Sequence, residues 1–358
     1  MKLRLNADRL KWLAAGLVVW AGVQWMINEN IINAFWLPII ELGAIMAIIS
    51  LGLNLIYGFN GQFSLGQFGF YAIGAYASAD ITWRFAEQMK MPMTIGGFSF
   101  DPGQSAIFLI AVLVAVGLSA LTAYLFGLPV LKLGSDYFGI ATLGWTMVIY
   151  VLANNSDTIL GFPEMKGARG MVGIPPLTNW TWIFLALVVS LLVVRNLLYS
   201  SAGRAIISVR EDETAAKAMG IDVAKYKTIS FVIGAALAGL AGALYAHLYA
   251  FLHPSIFHFI KSFDPMIIVV FGGLASMTGT VLAAFVWSIL LQGAAVAVLP
   301  SELLEWRYVI YAVTLVVVML VRSQGLMGGH EWGFLKVKPP ALRRPAANPA
   351  GEVDRGSN

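Results

Sequence analysis

Long stretches of this chain carry no charge, and they recur at nearly regular intervals. Ten apolar segments can be marked: 12–28, 34–57, 63–80, 105–131, 138–153, 179–199, 229–250, 263–276, 280–299 and 308–321. A membrane-crossing helix needs about 20 largely apolar residues, so several are long enough, while the third, fifth, eighth and tenth are short. Each short one can be a tilted or re-entrant piece. Backbone polar groups cannot stay unpaired in lipid, so runs of this length are expected to be helical. The alternating ten-residue pattern of a membrane β-barrel is absent. The expected fold is therefore all-α and polytopic, with about ten membrane helices (eight to ten).

Composition strengthens this reading. Over 358 residues, 59% are hydrophobic and only 12% charged, against about 25% charged in a typical soluble domain. Too few charges remain to cover a water-exposed surface. Cysteine is absent, which removes disulfides, thiolate metal sites and cysteine catalysis. The basic stretch Lys2, Arg4, Arg9, Lys11 before the first apolar run looks like a secretory leader. Asn28-Glu29-Asn30 follows that run instead of a small-residue cleavage pattern, so a retained first helix is expected.

The net charge of +4 is best read as topology. With a cytoplasmic N-terminus and ten crossings, 17 Lys and Arg fall inside and six (Arg84, Lys90, Lys166, Arg169, Lys261 and Arg307) fall outside. Both termini and segment 200–228 are then cytoplasmic. The chain divides into a short N-terminus (1–11), a transmembrane domain (12–321) with a cytoplasmic loop at 200–228, and a cytoplasmic tail (322–358). The tail from about Gly328 is rich in Pro, Ala, Gly and charge, and is expected to lack fixed structure. Segments 81–104 and 154–178 are expected to be loops at the other side.

Two Gly-rich interruptions fall at membrane depth. The first, Gly52 to Gln67, contains Asn54, Gly61, Gln62, Ser64, Gly66 and Gln67. The second, Phe271 to Gly279, contains Gly272, Gly273 and Ser276. Both place Gly, then Ser three residues later, between apolar runs that share a crossing direction, which suggests an internal parallel repeat. Broken helices free backbone groups that survive only beside protein or a watery cavity, as in a translocation path. Small residues for close helix packing explain the same pattern. Glu41 is the one carboxylate inside the second segment, facing either a cavity or the interface. His247, His253 and His258 are spaced as boundary residues, and no metal site is expected.

Loop 200–228 is the densest polar segment. Glu211, Asp212 and Glu213 are expected in the first turn of a short helix, where the dipole favours negative charge. Ala215, Ala216, Lys217, Ala218 and Met219 are strong helix formers, Gly220 is a helix stop, and Asp222 is a candidate N-cap for the next helix. Such a knob, charged at its rim and tipped by Met219, can lie in a partner's groove or remain a solvated loop helix.

Glu213-Thr-Ala215-Ala216-Lys-Ala-Met219-Gly220 resembles the Glu-Ala-Ala loop of ABC importer permeases. The longer run from Gly203 through Arg210 to Ile221 is similar to that of the branched-chain amino-acid permease family, of the LivM type. So are 53–66, 136–143, 272–279 and 322–328. The resemblance covers roughly residues 35 to 330. It departs at Gln67, where many relatives carry His, and at Ser323, where Pro is usual.

The resemblance implies that Arg210, Glu211, Asp212, Glu213, Ala215, Ala216, Met219 and Gly220 couple the chain to ATPase subunits (LivG/LivF-type). It also implies a second, LivH-type permease subunit, an extracytoplasmic substrate-binding protein and an inner-membrane location. Leucine, isoleucine and valine are the implied substrates, with urea, short amides or other amino acids as alternatives. No Gly-Lys dipeptide occurs, so the chain has no phosphate-binding P-loop of its own. No cofactor is expected on this chain, ATP being used by the partners, and nucleic acid is not expected as a partner. A self-sufficient channel or carrier is the competing class, and a membrane enzyme is disfavoured by the absence of zinc and nucleophile-elbow motifs.

Overall fold

The structure, a computed structural model, describes residues 7–298 apart from 91–92, 96–97, 132–134 and 160. Beyond them it describes residues 300, 309, 313, 316–317, 325–327, 331–332 and 335. Most of the tenth apolar segment, Met1–Asn6 and most of the tail lie outside the described residues.

The apolar runs form helices. They are α1 (Ala7–Asn28), α2 (Trp36–Asn54), α3 (Gln67–Phe85), α4 (Pro102–Val130), α5 (Ser135–Asn154) and α6 (Trp180–Tyr199). Then come α7 (Ser201–Glu211), α8 (Glu213–Ala218), α9 (Val223–Tyr249), α10 (Phe263–Gly272), α11 (Met277–Ser288) and α12 (Ala295–Val298). A wider π-helical turn extends α2 through Leu55–Phe59, and another joins α11 to α12. Two small antiparallel pairs, Met93–Ile95 with Phe98–Phe100 and Met171–Val172 with Phe251–Leu252, are the only strands among the described residues.

Six helices are long and apolar enough to span a membrane: Trp36–Phe59, Pro102–Val130, Tyr137–Asn154, Trp180–Tyr199, Val223–Tyr249 and Met277–Ala294. The chain is thus a multi-pass helical membrane protein, with six such spans among the described residues where ten crossings were expected. Two departures have physical causes. Helix α3 is 19 residues long but polar for a span, carrying Gln67, Ser78, Asp80, Thr82 and Arg84. Most of it up to Thr82 is buried in the bundle, and only its last three residues are exposed, so its polar groups need not satisfy lipid. Helix α10 has ten residues, about 15 Å of helix and half the hydrocarbon thickness.

Helix α2 is the axis of the molecule. Its span is 94% buried, whereas those of α4, α5 and α6 are 39%, 28% and 33% buried. Leu113, Leu121, Leu125 and Ile140 point outward from these peripheral helices, as lipid-facing side chains do. Small residues let the central helices meet backbone to backbone. A Cβ at Gly242 would strike the Tyr71 carbonyl, and Gly74 lies against Gly239, so α3 and α9 cross with almost nothing between them.

Two ends can be distinguished. The C-terminal end of α2 packs on α7 through Gly61 and Arg210, which marks the knob end. At the opposite end Arg84 pairs with Glu164, and Met171–Val172 pairs with Phe251–Leu252. His247 lies at this opposite end but is fully buried, with Nδ1 2.7 Å from the Ala243 carbonyl and Nε2 2.8 Å from Thr82 Oγ1. It is therefore not the boundary residue expected from its position. His253 and His258 cap short 3-10 turns.

Candidate functional site

Helix α2 approaches the knob end, breaks after Phe59, and the chain returns as α3. Gly61 takes φ +74°. Polar side chains fill the break. Asn60 Nδ2 donates to Ser230 Oγ of α9 at 2.7 Å and to Gln62 Oε1 at 2.9 Å. Leu65 is held on both sides by α5: its N–H donates to Thr142 Oγ1 (3.0 Å) and its carbonyl accepts from Thr146 Oγ1 (3.1 Å). Ser64 Oγ accepts from the Gly66 N–H.

Among the described residues, three buried polar groups at this break have no hydrogen-bond partner: both amide atoms of Gln67, Asn60 Oδ1, and the indole N–H of Trp145. Trp145 packs against Gly69, one turn along α3. Gln67 is 1% exposed. Buried polar atoms are nearly always satisfied, so a cluster of orphans calls for a partner that the described residues do not supply.

The second break lies between α10 and α11, at the level of Asn54. Asn54 Nδ2 donates to the Ser276 carbonyl (2.9 Å) and to Thr280 Oγ1 (2.8 Å), and Asn54 Oδ1 accepts from the Ala275 N–H (3.0 Å). Gly58 is required beneath this clip, because Asn54 Oδ1 occupies the place of any Cβ there. Ser276 caps α11 by accepting from Gly279 N–H, and Gly273 turns the chain at φ +109°. Asn54, Gly272, Gly273 and Ser276 are thus brought together, with the polar groups of Asn54 and Ser276 engaged in joining the two breaks. Gln62, Ser64, Gly66 and Gln67 gather separately.

Glu331 belongs to this second break, and the sequence did not mark it. Its carboxylate accepts from the N–H groups of Met277 (2.6 Å) and Thr278 (3.2 Å) and from Thr278 Oγ1 (2.6 Å). The Leu326 and Met327 N–H groups donate to the carbonyls of Phe271 and Gly272, and Leu335 is buried. Leu326, Met327 and Glu331 are therefore seated beneath the α10–α11 break, and most of the extension from Gly328 lies outside the described residues. A carboxylate at the free N–H groups of α11 explains why Glu331 stays.

The knob has its own small core of Val209, Ala216 and Val223, with Ile221 against it. Asp212 caps α8 by accepting from Thr214 and Ala215 N–H (2.8 and 2.9 Å). Asp222 caps α9 by accepting from Lys225 N–H (3.1 Å). Glu211 closes α7 instead of opening α8, because the Asp212 cap starts the new helix one residue later. Ala216 faces inward. Ala215, Lys217 and Met219 face out, and Met219 is 82% exposed. Glu213 holds Lys227 (2.8 Å) and Lys217 (3.1 Å). Chiefly through its hydrogen bond to Lys227, its carboxyl lies below the ordinary value of 4.5. Gly220 sits at φ +80°, a region side chains rarely adopt. Ser208, Glu211, Asp212, Ala215 and Met219 rim a shallow hollow of about 330 Å³.

Knob and break touch. A Cβ at Gly61 would meet Arg210 side-chain and backbone atoms at 3.2–3.6 Å. Asn60 is bonded to Ser230, two turns into the helix that leaves the knob.

A bundle of spanning helices with polar breaks inside it and an exposed helical knob at one end defines a polytopic membrane permease. Residues 36–319 match the family described as "Branched-chain amino acid transport system / permease component", and the chain belongs to that family. It is 29% identical over 350 residues to the high-affinity branched-chain amino acid transport system permease protein LivM of Escherichia coli, covering 88% of this chain and 74% of that one. It is 27% identical over 305 residues to the permease protein LivH of the same system, covering 82% and 94%. A probable LivM of Methanocaldococcus jannaschii is 25% identical over 318 residues, covering 78% and 89%. No solved structure matches.

Proposed function

We propose that this chain is one of two pore-forming subunits of an ATP-driven importer that carries leucine, isoleucine and valine across the inner membrane. The observation that carries this reading is the packing of the first break on the knob, Gly61 against Arg210. A partner that grips the exposed face of α8, with Ala215 and Met219, would move α7 and so the break. Two cytoplasmic ATPase subunits supply the movement, a homologous second permease completes the path, and an extracytoplasmic binding protein delivers the solute. ATP is bound by the partners, and both ends of the chain are cytoplasmic.

In this reading Gln62, Ser64, Gly66 and Gln67 line the path, and Gln67, Asn60 and Trp145 offer hydrogen bonds to the solute in passage. Asn54, Gly272, Gly273 and Ser276 form the wall behind it. The test is uptake by the whole complex in proteoliposomes with ATP inside. Gly220→Pro forces φ from +80° to about −65°, and Glu213→Lys places three lysines together. Both variants are expected to insert and lose at least about tenfold in uptake, a barrier change of about 1.4 kcal/mol. Normal uptake in both would defeat the coupling role, and uptake by this chain alone without nucleotide would favour a self-sufficient carrier.

A further inference from the structure

At the end opposite the knob, three pieces of chain enclose a groove of about 380 Å³. They are the end of α3 with the turn that follows it, the first turn of α4, and the loop ahead of α6. Ligand sites span about 300–1,000 Å³, so this one suits a small solute. Its walls are fixed by close contacts. A Cβ at Gly103 would strike the Met89 carbonyl, so α4 starts directly against the turn after α3. Asp101 caps α4 by accepting from the Gln104 N–H at 3.1 Å. Arg84 of α3 pairs with Glu164 of the loop. Gly173 turns that loop at φ +84°, and a Cβ there would meet the Trp83 indole nitrogen at 3.5 Å. Pro175 and Pro176 follow and stiffen the wall.

Floor and rim differ in chemistry. Ala86 and Ile174, 1% and 2% exposed, give an apolar floor, with Leu177 beside them. Thr82 also lines the groove, but its hydroxyl is engaged with His247 at 2.8 Å. Polar recognition is left to the rim, where Glu87, Lys90 and Gln104 stand. Among the described residues lining the groove, Glu87 and Lys90 alone are charged, one of each sign. Lys90 Nζ lies 2.6 Å from both Glu87 carboxylate oxygens. The two side chains are 47% and 76% exposed, and so open an ion pair is weak and readily exchanged.

A solute with both signs on neighbouring atoms can replace this pair and leave no charge unmatched. Its carboxylate takes Lys90, its ammonium takes Glu87, and both contacts are charge-assisted hydrogen bonds. A solute with one sign engages one member and strands the other. The apolar floor beneath accepts a short hydrocarbon chain.

We infer that this groove is a reception site for a zwitterionic α-amino acid with a short aliphatic side chain. Lys90 and Glu87 hold its head at the rim, and Ala86, Ile174 and Leu177 hold its chain at the floor. That such an amino acid is also the transported solute rests on the function proposed above.

The test is a ligand-observed NMR titration of the whole permease–ATPase complex in nanodiscs, without binding protein, beside uptake by the complete system. The probe is leucine, with 3-methylbutylamine (ammonium without carboxylate) and 4-methylpentanoate (carboxylate without ammonium) as competitors. Saturable leucine binding is expected, and both competitors should bind at least about tenfold more weakly. Lys90→Met and Glu87→Gln should each weaken leucine at least about tenfold, while Lys90→Arg should keep most of the affinity. Ile174→Ala should weaken leucine more than glycine, because only leucine reaches the floor. Leucine binding that both Lys90→Met and Glu87→Gln leave unchanged would overturn the site. So would either single-charge competitor matching leucine, or no saturable binding at all. Intact uptake beside any of these results would leave the transport reading standing. Leucine that binds as expected but is not taken up would keep the site and sink the branched-chain substrate. Neither binding nor uptake would sink both.

Discussion

The two helix breaks share a sequence grammar and differ in physics. Each joins a helix running toward the knob end to one running away, and each places a Gly three residues before a Ser, with a further Gly two or three residues on. In the α10–α11 break the polar groups are spent. Asn54 clips it, Ser276 caps it and Glu331 seals the exposed N–H groups. In the α2–α3 break, Gln67, Asn60 and Trp145 keep unpartnered atoms in a buried place. A break that satisfies itself is scaffold, whereas one that leaves partners wanting is, under the proposed function, where a passing solute would bind. The pattern of glycines does not tell the two apart. The hydrogen-bond count does.

The sharpest way to break this comparison is Asn54→Leu. It removes three hydrogen bonds, two of them buried, and leaves Thr280, Ala275 and Ser276 to find others. A loss of about 3 kcal/mol is expected at about 1 kcal/mol per bond, read as a marked fall in the thermal stability of the purified complex. Unchanged stability would mean the second break is not scaffold. Gln67→Leu is the opposite case. Removing two unpartnered buried atoms should leave stability unchanged or raise it by about 1 kcal/mol, while uptake falls about tenfold. A stability loss with normal uptake would reverse the two roles.

Glu331→Ala should cost about 1–2 kcal/mol, the usual loss of a charged helix cap. Hydrogen exchange at Met277 and Thr278 should rise with it, and protection there without the carboxylate would show that the tail merely rests on the break. The smallest effect concerns the knob. Glu213 has its carboxyl below the ordinary 4.5, first through its hydrogen bond to Lys227. Its contribution is present above pH 4.5 and is lost as pH falls through the lowered value. It is half-exposed, so a few tenths of a kcal/mol are expected. Proteolysis of the knob should be flat from pH 8 to 6 and rise only in acid.

Much of the knob was legible because its determinants are neighbours. Asp212 and Asp222 cap residues two or three positions away, and Gly220 turns on its own φ. The misplacement of Glu211 came from the same locality, since two adjacent acids compete for one cap. Glu331 was hidden for the opposite reason: its partners lie more than 50 positions earlier, in a tail whose composition promises nothing. Thr142, Trp145 and Thr146 were missed because a lone polar face on an apolar helix says nothing about which loop it will hold.

The sequence by itself determined the solvent, the helices and the two interruptions. Transfer of a charge-poor backbone into lipid leaves no other solution, and capping is settled within four residues. Tertiary structure decided which interruption is tied off and what Asn54 holds. Those pairings join residues up to 226 positions apart, and the energy of a buried polar group depends on the partner it meets, which no local pattern records.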